Sequence, residues 1–385
     1  MKRSFARAAV ALLVASTTST LSHAQGAGKT IVQVPGTEQF VMKAKSNGIE
    51  YRIDVFLPAG TDTARVRPSV MYVTDGNLLF TPWVDVYHAL SLTGDVSPVI
   101  VVGIGYPSTL DADTFTPSIV RSRTRDYTPT VPKQLKPGSS GESAAFLAFI
   151  KNELIPEVET RYHADSTERG LGGHSLGGLF STYALFHEPA LFHRWWIGSP
   201  SMWWDDEVGF GWLKEAASKP APTGKVFITV GALEGETMVP KAVRLAAALR
   251  TTYPKLMTGS QVFPEETHTS VIFGAGSRAM RYLYSDFGRP TITLSRADAA
   301  RFNGKWTTPN GPALTITSGV QGLTLLLDQG GTSPSFPLFA QSRDSLFLKS
   351  IHSTLVAEGA PLPNGRVAKL RVQLLGKEST YERAH

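Results

Sequence analysis

The chain has 385 residues, with 38 Lys and Arg against 32 Asp and Glu, a formal charge of +6, 42% hydrophobic residues and no Cys. These values fit a folded protein larger than one small module and exclude a disordered chain. The lack of thiols excludes disulfide scaffolds, thiolate metal sites, Cys nucleophiles and lipid attachment through Cys, so any chemistry runs through oxygen or nitrogen.

Lys2, Arg3 and Arg7 lead into an apolar run, Ala8 to Ala15, and then a polar stretch ending in Ser22-His23-Ala24. That is the three-part plan of a secretory signal cleaved before Gln25. The run is shorter than the roughly 20 residues that a bilayer-spanning helix needs, so residues 1–24 are expected to be a removed leader, with no stable membrane insertion. Without them the charge falls to +3. No block of like charge or basic helix interleaved with aromatics remains, which argues against nucleic acid as a partner. Export of a Cys-free chain suits a bacterial periplasm, with secretion beyond it as the alternative.

Residues 25–290 read as an α/β domain. Two alternating segments, Gln39 to Lys45 and Glu50 to Leu57, flank Ser46-Asn47-Gly48, a tight-turn signal for an antiparallel hairpin. Apolar runs follow at Ser69 to Thr74, Val99 to Ile104, Gly170 to His174, Trp195 to Gly198 and Val226 to Val230, separated by helical patterns. Runs of this kind belong to strands covered by helices on both faces, hence to a mostly parallel sheet. The pattern from about Gly141 to Tyr162 predicts a helix kinked or broken at Pro156. From residue 291 to 385 the text turns to short alternating segments, among them Leu314-Thr315-Ile316, Leu323-Thr324-Leu325, Leu346-Phe347-Leu348 and Val367 to Leu374. These predict a small antiparallel sheet or partly closed barrel.

Gly173-His174-Ser175-Leu176-Gly177 is a Gly-x-Ser-x-Gly segment that follows a short strand and opens an apolar helix. A sharp strand-to-helix turn of this type exposes a nucleophilic serine above the sheet, and the glycines remove Cβ atoms that would collide there. The alternative is a glycine-rich turn with an ordinary capping serine. A serine hydroxyl needs a base, which in such a fold comes later in the chain, after an acid. His23 belongs to the leader and His352 and His385 to the tail. His174 is expected to point away from the site, and four others precede the required place, leaving His268. The acid is expected after the strand Val226 to Val230, where Glu234 is preferred over Glu236. Backbone N–H groups of Leu176 and of Asn77, after the strand Ser69 to Thr74, are the expected oxyanion donors.

Ser175, Glu234 and His268 in this order, with Asp75-Gly76-Asn77 after a hydrophobic strand, resemble the putative-esterase family of the α/β-hydrolase superfamily. That family includes siderophore trilactone esterases, feruloyl esterases and mycolyl transferases. Arg123-Thr124-Arg125-Asp126-Tyr127-Thr128-Pro129, Ser199-Pro200-Ser201-Met202-Trp203-Trp204 and the Gly-x-Leu-Glu ending at Glu234 are similar to its siderophore-esterase side. In the tail, Phe302-Asn303-Gly304-Lys305-Trp306 and Tyr381-Glu382-Arg383 resemble β-rich modules appended to exported serine hydrolases. The resemblance implies an α/β-hydrolase fold followed by such a module.

Trp203 and Trp204 either line an aromatic acyl pocket or fill the core. Arg123 and Arg125 either attract an anionic ligand or form ion pairs that fix their loop to Asp126. No ligand spacing suggests a metal, and no cofactor is expected. The expected function is a serine ester hydrolase acting on a small ester, with an acyltransferase or a catalytically idle binding protein as alternatives. Oligomeric state is left open.

Overall fold

The expected hairpin forms. β1 (Thr37–Lys43) and β2 (Glu50–Phe56) pair antiparallel, with Lys43 opposite Glu50. Asn47 fixes the turn: its Oδ1 accepts the Ile49 N–H, and its Nδ2 donates to Tyr51 Oη. The computed structural model describes residues 33–385 apart from 59–66, 93–94, 108–116, 217–219, 286–290, 310, 321, 329–332, 350–352, 375–376 and 385. The expected leader, residues 1–24, lies outside the described residues, as do His352 and His385.

Beyond the hairpin come β3 (Ser69–Val73), β4 (Val99–Gly105), β5 (Arg169–His174), β6 (Arg194–Gly198), β7 (Lys225–Gly231) and β8 (Met257–Phe263). The sheet order is β1-β2-β4-β3-β5-β6-β7-β8, parallel from β4 through β8. β4 reads Val-Ile-Val-Val-Gly-Ile-Gly and every residue is buried, as a central strand covered on both faces requires. α1 (Gly76–Ser91) and α8 (Val271–Tyr284) pack together on one face. On the other, α5 (Leu176–His187) is flanked by α2 (Pro117–Tyr127), α3 (Ser143–Phe149) and α6 (Trp204–Ala216). α7 (Gly235–Thr252) covers β7 and β8. The strand order reverses between β3 and β5, the kind of switch point beyond whose carboxyl ends open α/β sheets bind ligands.

The pattern around Pro156 resolves differently from the expected kink. α3 runs into a π-helical turn, Ile150–Leu154, and then into α4 (Ile155–Tyr162), with Pro156 in the first turn of α4. The extra residue of a π turn provides the space that a proline ring and its missing N–H demand.

The C-terminal strands close completely. β9 (Gly304–Thr307), β10 (Leu314–Gly319), β11 (Gly322–Leu327), β12 (Ser335–Ser342), β13 (Ser345–Leu348), β14 (Ser353–Glu358), β15 (Lys369–Leu374) and β16 (Lys377–Arg383) form an antiparallel barrel. The short helix α9 (Arg296–Ala300) precedes it, capped by Ser295 Oγ, which accepts the Asp298 N–H at 3.0 Å. β9 closes the barrel between β10 and β16. The two tail segments singled out in the sequence meet at this seam: Arg383 pairs with Trp306, and its guanidinium lies 4.3 Å from the indole centroid. Trp306, Ile316, Leu325, Leu338, Leu346 and Leu370 fill the interior, which makes the barrel a packed core.

Candidate active site

Ser175 joins β5 to α5 with φ 62° and ψ −119°. A side-chain-bearing residue held there stores about 1–3 kcal/mol of strain. The flanking glycines have a steric purpose: a Cβ on Gly173 would lie 2.4 Å from Thr74 Oγ1, and one on Gly177 2.3 Å from it. The nucleophile turn can therefore press against the turn after β3, which begins α1 with Gly76-Asn77. The first-turn N–H groups of Asn77 and Leu176 have no acceptor within their helices.

The turn after β3 is braced from below. Asp75 takes a left-handed conformation, φ 51°. Its N–H donates to Tyr127 Oη at 2.8 Å, and its carboxylate accepts from Arg123 Nε at 2.9 Å and Nη2 at 3.0 Å. Asn77 is fixed through its side chain, with Oδ1 accepting the Tyr106 N–H and Nδ2 donating to Tyr106 O. Arg125 makes the second bidentate pair, to the fully buried Asp126, which also accepts from Tyr51 Oη and Tyr106 Oη. Both arginines singled out in the sequence are thus held in ion pairs, Arg125 to Asp126 as in the ion-pair alternative and Arg123 to Asp75 in the turn after β3. Trp204 is buried and donates from Nε1 to Thr130 Oγ1, whereas the neighbouring Trp203 is exposed.

Glu234 ends the single 3₁₀ turn after β7, and its carboxylate organises three groups. Oε2 lies 2.6 Å from His268 Nδ1, while Oε1 accepts from Ser199 Oγ at 2.6 Å and from the Gly231 N–H at 2.7 Å. Burial raises the carboxyl's pKa, but hydrogen bonds from His268, Ser199 and Gly231 outweigh it and hold the group below the ordinary carboxylate range. The Leu233 N–H donates to Glu266 O at 3.0 Å, tying the histidine loop to the acid's turn. Glu236 is exposed in the first turn of α7. An imidazole whose Nδ1–H is given to a carboxylate presents Nε2 as the proton acceptor. Ser175 Oγ lies 3.5 Å from Ser201 Oγ and forms no hydrogen bond to His268. In unliganded sites that bond is often long and tightens with substrate.

His174 does not point away from the site as expected. Its ring packs 4.5 Å from that of His268, centroid to centroid, and it is buried with both nitrogens unpaired. Burial, with His268 second, pushes its pKa down to about 3, so it is a neutral wall against the second imidazole. Between about pH 3 and the ordinary value near 6.5 the unfolded chain binds this proton and the folded chain does not, so stability is lost as pH falls. We expect urea-unfolding free energies to drop by up to about 1.4 kcal/mol per pH unit through this window from His174 alone. His174→Phe should flatten the slope by about one proton. Glu234, with its depressed pKa, adds a loss of the same sign at the acid end.

Ser199, Ser201 and His174 are the polar neighbours of the site to which sequence reasoning gave no role. The first two were visible as part of Ser199-Pro200-Ser201-Met202-Trp203-Trp204. Among the described residues no group of three His, Asp or Glu could hold a metal ion, and no helix is long and apolar enough to cross a membrane.

A model of the Putative esterase family matches residues 44–257, from the hairpin turn to the start of β8. The chain belongs to this family. The matched region contains Ser175 and Glu234 and stops short of His268. This family member is 33% identical over 181 residues to the siderophore triacetylfusarinine C esterase of Aspergillus fumigatus, covering 46% of this chain and 59% of that protein. It is 30% identical over 197 residues to the ferri-bacillibactin esterase BesA of Bacillus subtilis, covering 48% and 65%. The chain therefore spans roughly three fifths of the length of these curated relatives. In three dimensions it is similar to the BES protein of Bacillus cereus, with a TM-score of 0.61 and 30% identity over 68% of this chain and 99% of that one.

Proposed function

We propose that this family member is a serine carboxylic-ester hydrolase whose substrate is a siderophore trilactone or another small ester. The observation that carries the reading is the Glu234 carboxylate, which holds His268 by Nδ1 beside a strained serine turn. In this mechanism Ser175 Oγ attacks the ester carbonyl as His268 Nε2 takes its proton. The backbone N–H groups of Leu176 and Asn77 receive the oxyanion, and Glu234 stabilises the imidazolium. His268 then passes the proton to the leaving alkoxide; a water deprotonated by His268 attacks the acyl-enzyme, and His268 returns that proton to Ser175 Oγ as the bond to it breaks and the carboxylic acid leaves. Trp203 supplies an exposed aromatic wall for the substrate.

The substrate class is supported by what the relatives are named for, a triacetylfusarinine C esterase and a ferri-bacillibactin esterase. Periplasmic export belongs to the same proposal and rests on the leader-like composition of residues 1–24. The test is a turnover screen of the purified protein against ferric and iron-free trilactone siderophores, feruloylated sugars and p-nitrophenyl acetate. Ester cleavage is expected, with Glu234→Gln lowering kcat roughly 10²- to 10⁴-fold and Glu236→Gln leaving it unchanged. Absence of turnover on every ester would contradict the proposal.

A further inference from the structure

The segment from Gly198, the last residue of β6, through Ser201 touches both the nucleophile and the acid. Each backbone group of Ser175 is bonded to it: the Ser175 N–H donates to Gly198 O at 2.9 Å, and Ser175 O accepts the Ser201 N–H at 3.1 Å. The Ser201 hydroxyl adds the 3.5 Å approach to Ser175 Oγ. Two residues earlier, Ser199 Oγ donates to Glu234 Oε1 at 2.6 Å while its N–H is anchored on Thr229 O of β7 at 2.7 Å. Ser199 and Ser201 are both buried, and Ser199 has φ 37°, a left-handed conformation unusual for a serine.

A buried hydroxyl in a strained backbone is retained where its position matters. A serine in an ordinary β6-to-α6 loop would need neither the positive φ nor a carboxylate partner. With Oε1 occupied by Ser199 and the Gly231 N–H, the carboxylate can turn only one oxygen towards His268. Ser199 bonds the carboxylate, while Gly198 and Ser201 bond the amide and carbonyl of Ser175, so the one short segment Gly198 to Ser201 links nucleophile and acid beyond what the sheet alone provides.

We infer that Ser199 and Ser201 are positioning residues, Ser199 for the acid and Ser201 for the nucleophile, and that Ser199-Pro200-Ser201 acts as a clamp between them. The inference rests on the serine-hydrolase reading above. Neither hydroxyl exchanges a proton with substrate; each restricts a group that does.

The test is a double-mutant cycle on ester hydrolysis. Ser199→Ala should lower kcat about 5- to 20-fold with KM within twofold. In a Glu234→Gln background the same substitution should cost less than twofold, because the hydroxyl acts through the carboxylate. Ser199→Gly removes the hydroxyl while relieving the positive φ, and is expected to lose the same kcat with an unfolding midpoint at or above that of the wild type. This separates the lost hydrogen bond from any loss of folding. Ser201→Ala should slow acylation by a fluorophosphonate about 3- to 10-fold without altering the Ser199 cycle. Equal losses from Ser199→Ala in the two backgrounds, or a Ser199→Gly enzyme with wild-type kcat, would overturn the clamp and leave the hydrolase reading intact. A Ser175→Ala enzyme with wild-type turnover would overturn both.

Discussion

Replacing Ser175 with alanine is expected to lower kcat/KM for ester hydrolysis roughly 10⁴-fold or more, leaving what the proposed oxyanion donors and binding supply by themselves. The magnitude follows from the covalent step: without the hydroxyl no acyl-enzyme forms, and water must attack without a positioned nucleophile. The substitution leaves the fold in place, because Ser175 Oγ has only the long contact to Ser201 Oγ to lose. Ser175→Gly is the more informative partner. Glycine adopts φ 62° without the strain that serine or alanine carries there, so the inactive glycine variant should unfold about 1 kcal/mol later than the alanine variant, after allowance for its greater freedom when unfolded. Urea unfolding of the two variants measures the difference. A serine retained at a position that favours glycine is explained by its hydroxyl, and equal stability of the two would remove that argument.

His268→Ala is expected to cost roughly 10³-fold or more in kcat/KM. The His268 side chain is 43% exposed, so the vacated space opens to solvent and added imidazole should restore part of the activity. The structural penalty falls on Glu234, which keeps the Ser199 and Gly231 donors and loses one partner, about 1–3 kcal/mol for a buried carboxylate, and on His174, which loses the ring packed against it. A variant with a tenth of the wild-type rate would remove His268 from the mechanism.

The parts of this architecture that sequence carries best are those dictated by local chemistry. β4 is seven consecutive buried residues, and no other environment suits such a run as well as a central parallel strand. The glycine-flanked serine is legible for the same reason, since the turn tolerates so few residues. β8, Met-Thr-Gly-Ser-Gln-Val-Phe, is harder to read because an edge strand has one open side and mixed composition. β12 contains Pro337, which counts against a strand until its pairing opposite Thr324 is seen. α6 opens with Asp205, Asp206 and Glu207 in left-handed conformations, which a pattern keyed to Gly and Asn passes over.

In the site, chain order puts His268 and Glu234 on the same edge of the sheet, where the structure brings them into contact, because strand ends of a parallel sheet converge there. What order could not convey is which side chains face one another across that edge. The contact of His174 with His268 joins two strand ends separated by β6 and β7, and the Ser199 bond to Glu234 depends on one positive φ. Both are products of packing between elements distant in the chain, where residue type is a weak guide.

The central claim is that one serine carries the chemistry, and covalent labelling tests it most directly. The full-length protein is incubated with a fluorophosphonate, ester hydrolysis is followed, and the adduct is located by peptide mass spectrometry. The account predicts one adduct per chain, on Ser175, formed in step with loss of hydrolysis and absent from Ser175→Ala. An enzyme that keeps hydrolysing esters while unlabelled, or one inactivated by an adduct at another residue, would contradict it.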